Sequence, residues 1–260
     1  MSTETLKLYN SDFCPFGQRA WIAAIELGIP FKTQHVNFLD KGREDTKEFL
    51  DVSPSGTVPA GIYKGNEVYD SLNMIEYLQN AFGGDVKLFP EDPYEGFKAR
   101  AMLEKHGKYV GAFYQFLMAQ GDDIPAKKEA YVACLKALNE DIVGPYFMGK
   151  DFTILDVAFI PFNERAEILL PHYKNFETPS ELTNFLKWVE TVKQRESYKV
   201  SAADRVKGSI EALPEDWAHI TDRTEYIRTV YAGYASGEGP GKFRKAYQER
   251  MNEKRANAKK

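Results

Sequence analysis

The sequence predicts an α+β protein in two parts, a mixed βαβαββα unit followed by an all-helical one. From Leu6 to about Phe82, short strand-like apolar runs alternate with helical ones. After the breakers Pro90 and Pro93 no strand pattern recurs, and the apolar residues repeat at helical spacing. A cysteine, Cys14, stands where the first strand turns into the first helix.

Each element has a local reason. Leu6 to Tyr9 is a short apolar strand, and the helix from Pro15 to Leu27 opens on a proline at the first helical position, where no N–H is needed. Gly28-Ile29-Pro30 breaks that helix, and Phe31 to Phe38 returns as a second strand, a βαβ beginning. The charged stretch from Lys41 to Val52 reads as helical or irregular. After the turn Ser53-Pro54-Ser55-Gly56, strands at Thr57 to Tyr63 and Glu67 to Tyr69 flank Lys64-Gly65-Asn66 and form a hairpin. Ser71 opens a helix with Leu72, Ile75, Leu78 and Phe82 on one face, and Gly83-Gly84 ends it. Helices then run about Tyr94 to Ala119, Ile124 to Ile142, Thr153 to Leu170, Pro179 to Glu196, Ala202 to Ala212 and Asp222 to Tyr234. Thr153-Ile154-Leu155-Asp156 has the form of a capping box. The expected domains are residues 1–84 and 94–235, with a linker from Ser236 to Gly241 opening a basic tail over residues 236–260.

Composition narrows the function class. With 260 residues, 43% hydrophobic and 28% charged, the chain is an ordinary globular protein. Its longest apolar runs, such as Val157 to Phe162, fall far short of the roughly 18 to 20 residues that span a bilayer, so no stable membrane insertion is expected. Met1 to Thr5 lacks the basic and apolar start of a secretory signal, and the cytoplasm is the expected location. The last twenty residues hold eight Lys or Arg against two Glu, which leaves a net charge of −10 on the rest. Glutamates interrupt that tail and few aromatics accompany it, so no nucleic-acid partner is expected. His35, His106, His172 and His219 show no ligand spacing, and no metal is expected.

Two cysteines 120 positions apart make neither a disulfide framework nor a metal site. Cys134 lies within a helical apolar pattern and reads as a small core hydrophobe. Cys14 differs, because a helix N-terminus offers unpaired N–H groups and positive dipole, which favour thiolate. Arg19, about one turn on, adds positive charge, of small effect if exposed to water.

The run Cys14-Pro15-Phe16-Gly17-Gln18-Arg19, the frame around it and the capping box resemble a cytosolic glutathione transferase over roughly residues 6 to 213. The motif is most similar to the cysteine-type classes, omega above all, with lambda and dehydroascorbate reductase as relatives. The resemblance implies a thioredoxin-like N-terminal domain, a helical C-terminal domain, a homodimer and glutathione as cosubstrate. It makes Cys14 the catalytic residue, with Phe16 beside it. Val58-Pro59 matches the valine whose backbone pairs with glutathione's cysteinyl part, before a proline that is cis in the family. Asp70-Ser71 matches the pair that holds the γ-glutamyl end, and Lys41 matches a lysine after the second strand.

Taken singly, Val58-Pro59 reads as a strand-edge proline and Asp70-Ser71 as a helix cap; their order on one frame carries the site. Gly17 stands where a dithiol motif has its second cysteine, so glutathione must supply the resolving thiol. The expected activity is thiol transfer, deglutathionylation or dehydroascorbate reduction through a Cys14–glutathione mixed disulfide, acting on a small electrophilic or disulfide acceptor. The acceptor pocket is expected at Tyr109, Phe113 and Tyr114, with Trp217 at its rim. The alternative is a non-enzymatic binding module similar to the chloride intracellular channel proteins, which share the fold and a similar Cys-Pro-Phe stretch.

Overall fold

The computed structural model describes residues 4–36, 47–203 and 220–238. Strand β1 (Leu6–Asn10) lies between β2 (Phe31–His35), parallel to it, and β3 (Ala60–Tyr63), antiparallel to it. β3 turns directly into β4 (Asn66–Tyr69), giving the order β2-β1-β3-β4. The hairpin turn places Lys64 at φ 51° and Gly65 at φ 76°, the pair of positive angles that keeps two twisted strands in register. Alternation along β1 divides its side chains between the two faces of the sheet. Leu6 and Leu8 enter the main core with Trp21, Ile22, Ile75 and Leu78, while Tyr9 packs on the other face with Phe49, Val52 and Val58.

Helix α1 (Pro15–Glu26) supplies Trp21 and Ile22 to that core and packs against α3 (Ser71–Phe82). The short α2 (Lys47–Val52) brings Phe49 and Val52 to the second face. From α4 (Pro93–His106) onward every described element is helical: α5 (Lys108–Met118), α6 (Ile124–Asp141) after a 3-10 turn, α7 (Ile154–Lys174), α8 (Thr183–Lys193), α9 (Glu196–Ala203) and α10 (Arg223–Ala235). Fifteen residues of α7 are buried, as befits a helix with apolar groups on most of its circumference. It packs against α1, α5 and α10, which makes it the spine joining the two parts of the molecule.

Several boundaries differ from the expected ones. The expected long helix from Tyr94 is two helices, because the Gly107 N–H bonds to Glu104 O three residues back and the turn tightens at the residue with little helix preference. The third strand begins at Ala60, not Thr57, since Ser53 Oγ engages the backbone of Thr57 and holds it in the preceding turn. α7 runs past Leu170 through Pro171 to Lys174, ending where Asn175 turns left-handed. Of the helix expected from Pro179 to Glu196 only Thr183–Lys193 forms, and a separate helix begins at Glu196. All but the first two residues of the helix expected from Ala202 to Ala212, and all but the first residues of the basic tail, lie outside the described residues.

Candidate functional site

Cys14 is the N-cap of α1, with extended backbone angles of φ −78° and ψ 118° and Pro15 directly after it. Its side chain is half-buried, and Sγ lies 3.8 Å from the Val58 carbonyl oxygen. The contact follows from topology, because β3 is the neighbour of β1 and Val58 leads into it. The Val58-Pro59 peptide bond is cis. First-turn N–H groups and the helix dipole surround the thiol with positive potential. The next position that a dithiol motif would use is closed: Asn10 Nδ2 donates to Gly17 O at 2.8 Å, and a Cβ on Gly17 would sit 1.8 Å from Asn10 Oδ1.

The start of α3 faces the same region. Asp70 is its N-cap, exposed and held at φ 64°, a conformation non-glycine residues adopt where the surroundings impose it. Ser71 is buried, and its hydroxyl oxygen accepts a hydrogen bond from Arg19 Nη1 at 3.2 Å. Arg19 is itself only 6% exposed, so water does not screen it as it would an exposed arginine. Its Nε and Nη2 both donate to Ala158 O on α7, at 2.9 and 2.7 Å. Phe16 and Phe162 flank it, with ring centroids 5.1 and 4.7 Å from Cζ. Burial pulls the Arg19 guanidinium down to about 10, opposed by the negative charges of Cys14 and Asp70. It therefore stays cationic at neutral pH.

A second buried charge cluster holds the loop before Cys14. Arg165 on α7 donates to Phe13 O at 3.2 Å and pairs with Glu164 at 2.6 Å. Arg223 on α10 donates to both Glu164 oxygens, at 2.7 and 3.3 Å, and to Asp12 O at 3.4 Å. The Tyr231 hydroxyl also donates to Phe13 O, at 3.3 Å. Burial would raise the Glu164 carboxyl, but the charges of Arg165 and Arg223 overcome it and hold the group at about 2.

The model of the "Glutathione S-transferase, N-terminal domain" family matches residues 13–81, and that of the "Glutathione S-transferase, C-terminal domain" family matches residues 97–201. "Glutathione S-transferase L3" of Arabidopsis thaliana is 32% identical over 202 residues, covering 77% of this chain and 83% of that protein. The chain belongs to the glutathione S-transferase family. With the family comes glutathione as the cosubstrate. "Glutathione S-transferase DHAR2" of the same plant is 31% identical, over 74% of this chain and 85% of its own length. Among solved structures, glutathione transferase Omega 3C from Trametes versicolor superposes with a TM-score of 0.68 at 29% identity, covering 75% of this chain and 88% of that one.

Within this glutathione S-transferase the expected site residues fall into three groups. Cys14, Phe16, Val58, Pro59, Asp70 and Ser71 stand at or beside the starts of α1, β3 and α3, which the strand pairing brings to one end of the sheet. Tyr114 lies beside them: its ring is 6.4 Å from Phe162, 6.5 Å from Tyr231 and 5.6 Å from Tyr234. Tyr109 and Phe113 stand apart from them. Both are buried in the core, Tyr109 stacked on Tyr131 at 5.8 Å and packed on Phe159, because their face of α5 turns towards α6 and α7. Lys41 and Trp217 lie outside the described residues. Cys134 is free and half-buried on α6, and burial pushes its thiol up, in keeping with a packing residue.

Sequence reasoning missed Arg165, Glu164, Arg223 and Tyr231. A charged Glu-Arg pair inside an apolar helix was the available signal for the first two. Among the described residues no group of three or more His, Cys, Asp or Glu could hold a metal ion, and no helix is long and apolar enough to cross a membrane.

Proposed function

We propose that this glutathione S-transferase is a one-cysteine thiol transferase and reductase of omega-like type, working through a Cys14–glutathione mixed disulfide. The observation that carries the reading is the pairing of Cys14 at the α1 N-cap with a fourth motif position that Asn10 fills. A thiolate is favoured at Cys14, and no second cysteine can stand beside it to resolve a disulfide.

The chemistry balances with glutathione alone. Cys14 thiolate attacks the glutathionyl sulfur of a mixed disulfide; a new Cys14–glutathione S–S bond forms, the old one breaks, and the acceptor leaves as a thiolate that takes up a proton. A second glutathione, as thiolate, attacks the Cys14 adduct and returns the enzyme thiolate with oxidised glutathione. With dehydroascorbate as acceptor, two glutathione thiols supply the two electrons and two protons and leave as one disulfide. In this reading Val58 aligns the cysteinyl backbone, while Asp70 and Ser71 hold the γ-glutamyl end. Phe16 and Tyr114 border the acceptor. The proposal takes the enzyme as a cytoplasmic homodimer, with Lys41 and Trp217 as further contacts.

Turnover of dehydroascorbate, a small glutathionyl disulfide and a glutathionyl ketone, compared between the wild type and Cys14→Ser, tests the assignment. Loss of all three activities in the variant is expected, by at least about a hundredfold for removal of a nucleophile. Equal rates overturn it. Retention on immobilised glutathione without any turnover favours the binding-module alternative. Light scattering tests the dimer, and a monomeric mass contradicts it.

A further inference from the structure

We propose that Arg19 is a positioning residue serving both ends of the glutathione site, fixing the Ser71 hydroxyl as an outward donor and adding a permanent buried cation to the surroundings of Cys14. The inference rests on the glutathione reading above and goes beyond it in assigning a role to a residue that acts through Ser71 and through its charge.

The contact between Arg19 and Ser71 is directional. A serine hydroxyl has one hydrogen and two lone pairs. Arg19 Nη1 occupies a lone pair of Ser71 Oγ at 3.2 Å, so the hydroxyl hydrogen is not needed for that bond and is left to donate. Ser71 is the first residue of α3, where N–H groups also point at an incoming carboxylate. Arg19 thereby turns an ambivalent hydroxyl into a donor for an anion. The guanidinium is well fixed for this task, with two further bonds to Ala158 O and an aromatic ring on either flank. A lysine carries the charge but not the planar fork that makes these bonds together.

The second effect of Arg19 is electrostatic. The attraction of Cys14 and Asp70 opposes the effect of burial on Arg19, and the same attraction acts in return to favour Cys14 as thiolate. Other titratable groups facing this region are Tyr114 on α5 and Tyr231 on α10, and burial keeps both neutral. Arg165 on α7 is also close, through Phe13 O, but it is paired with Glu164 at 2.6 Å, which it shares with Arg223, and Asp12 attracts Arg223 in turn. Among the described residues Arg19 bonds to the neutral oxygens of Ala158 and Ser71 and lies against two rings. Its charge is therefore available to the site.

The test uses the full chain with Cys134→Ser, so that alkylation by iodoacetamide reads Cys14 alone. Arg19→Met and Arg19→Lys are compared with that parent in the pH profile of alkylation, in KM and kcat for glutathione, and in thermal unfolding. Arg19→Met is expected to raise the midpoint of the alkylation profile by about one pH unit, the low end for loss of a nearby opposite charge. It is also expected to raise KM for glutathione about tenfold, through the disordered Ser71 donor. Arg19→Lys is expected to restore the midpoint and leave KM high. A folded Arg19→Met protein with unchanged midpoint and KM overturns the proposal. If Arg19→Met does not fold, Arg19→Lys decides alone: parental KM contradicts the fork argument. A merely structural role moves the unfolding temperature and neither of the other readouts. Failure of the parent to take up glutathione on Cys14 counts against the underlying reading, whereas uptake with unshifted variants counts against Arg19 only.

Discussion

At the scale of single residues, side chains that look ordinary in the sequence are set by what surrounds them. Glu164 is the sharpest case, a carboxylate between two arginines in a buried site. Its folded value of about 2 lies below the ordinary 4.5, so its contribution is complete above about pH 5 and is lost as the pH falls towards 2. The difference corresponds to about 3 kcal/mol. Glu164→Gln is expected to lose about that much at pH 7 in urea unfolding, and to flatten the decline in stability between pH 5 and 3. An unchanged acid profile would place the linkage elsewhere. Gly17 is the second case. On an exposed helix Gly→Ala stabilises by up to about 1 kcal/mol, but here the added Cβ meets Asn10 Oδ1 at 1.8 Å. Gly17→Ala is expected to lower the unfolding temperature, and Asn10→Gly in the same chain to recover part of the loss. The absence of a second motif cysteine was legible in the sequence; that Asn10 fills its place was not, since the two residues belong to different elements.

At the scale of elements, the start of α7 shows how a local signal and a tertiary one combine. The capping box at Thr153 and Asp156 was readable from spacing alone, and it forms, Asp156 accepting the Thr153 N–H at 2.7 Å. The sequence did not reveal that the same buried carboxylate also accepts from Phe147 N–H at 2.8 Å and Trp188 Nε1 at 2.7 Å. Asp156→Ala leaves these donors unsatisfied and is expected to cost about 3 kcal/mol or more, against about 1 kcal/mol for loss of an ordinary cap. Chemical denaturation distinguishes the two. The βαβαββα order was equally legible, because alternation and turn residues are local. Helix limits were less so: the break at Gly107 and the extension of α7 through Pro171 depend on packing that periodicity does not carry. The surroundings of the expected acceptor wall depend on the same packing. Tyr109, Phe113 and Phe116 do share a helical face, but that face is the core, and Tyr114, beside it, turns towards the site.

At the scale of the whole molecule, the two parts are joined by buried polar ties in addition to apolar contact. Arg19 reaches Ala158, Gln18 reaches Ser201 at 3.3 Å, and Arg165 bonds both Gln18 and Phe13 across the same boundary. Parting the boundary would break these bonds together and expose the apolar contacts around them, so the parts are expected to unfold together. Trp21 lies in the first and Trp188 in the second, both fully buried, which gives each part its own fluorescent probe. Single-tryptophan proteins that retain one or the other should give coincident denaturation curves, and separated midpoints would contradict the coupling.

The same boundary places Cys14 between a sheet that aligns it and a helical part that grips its loop, and the account stands on what that thiol does. The most direct measurement is intact-protein and peptide mass spectrometry after exposure to oxidised glutathione, followed by reduced glutathione. One glutathionyl group on Cys14, none on Cys134, and full return to the free thiol with the second treatment are expected. No adduct on Cys14, or an adduct there that reduced glutathione does not release, would contradict it.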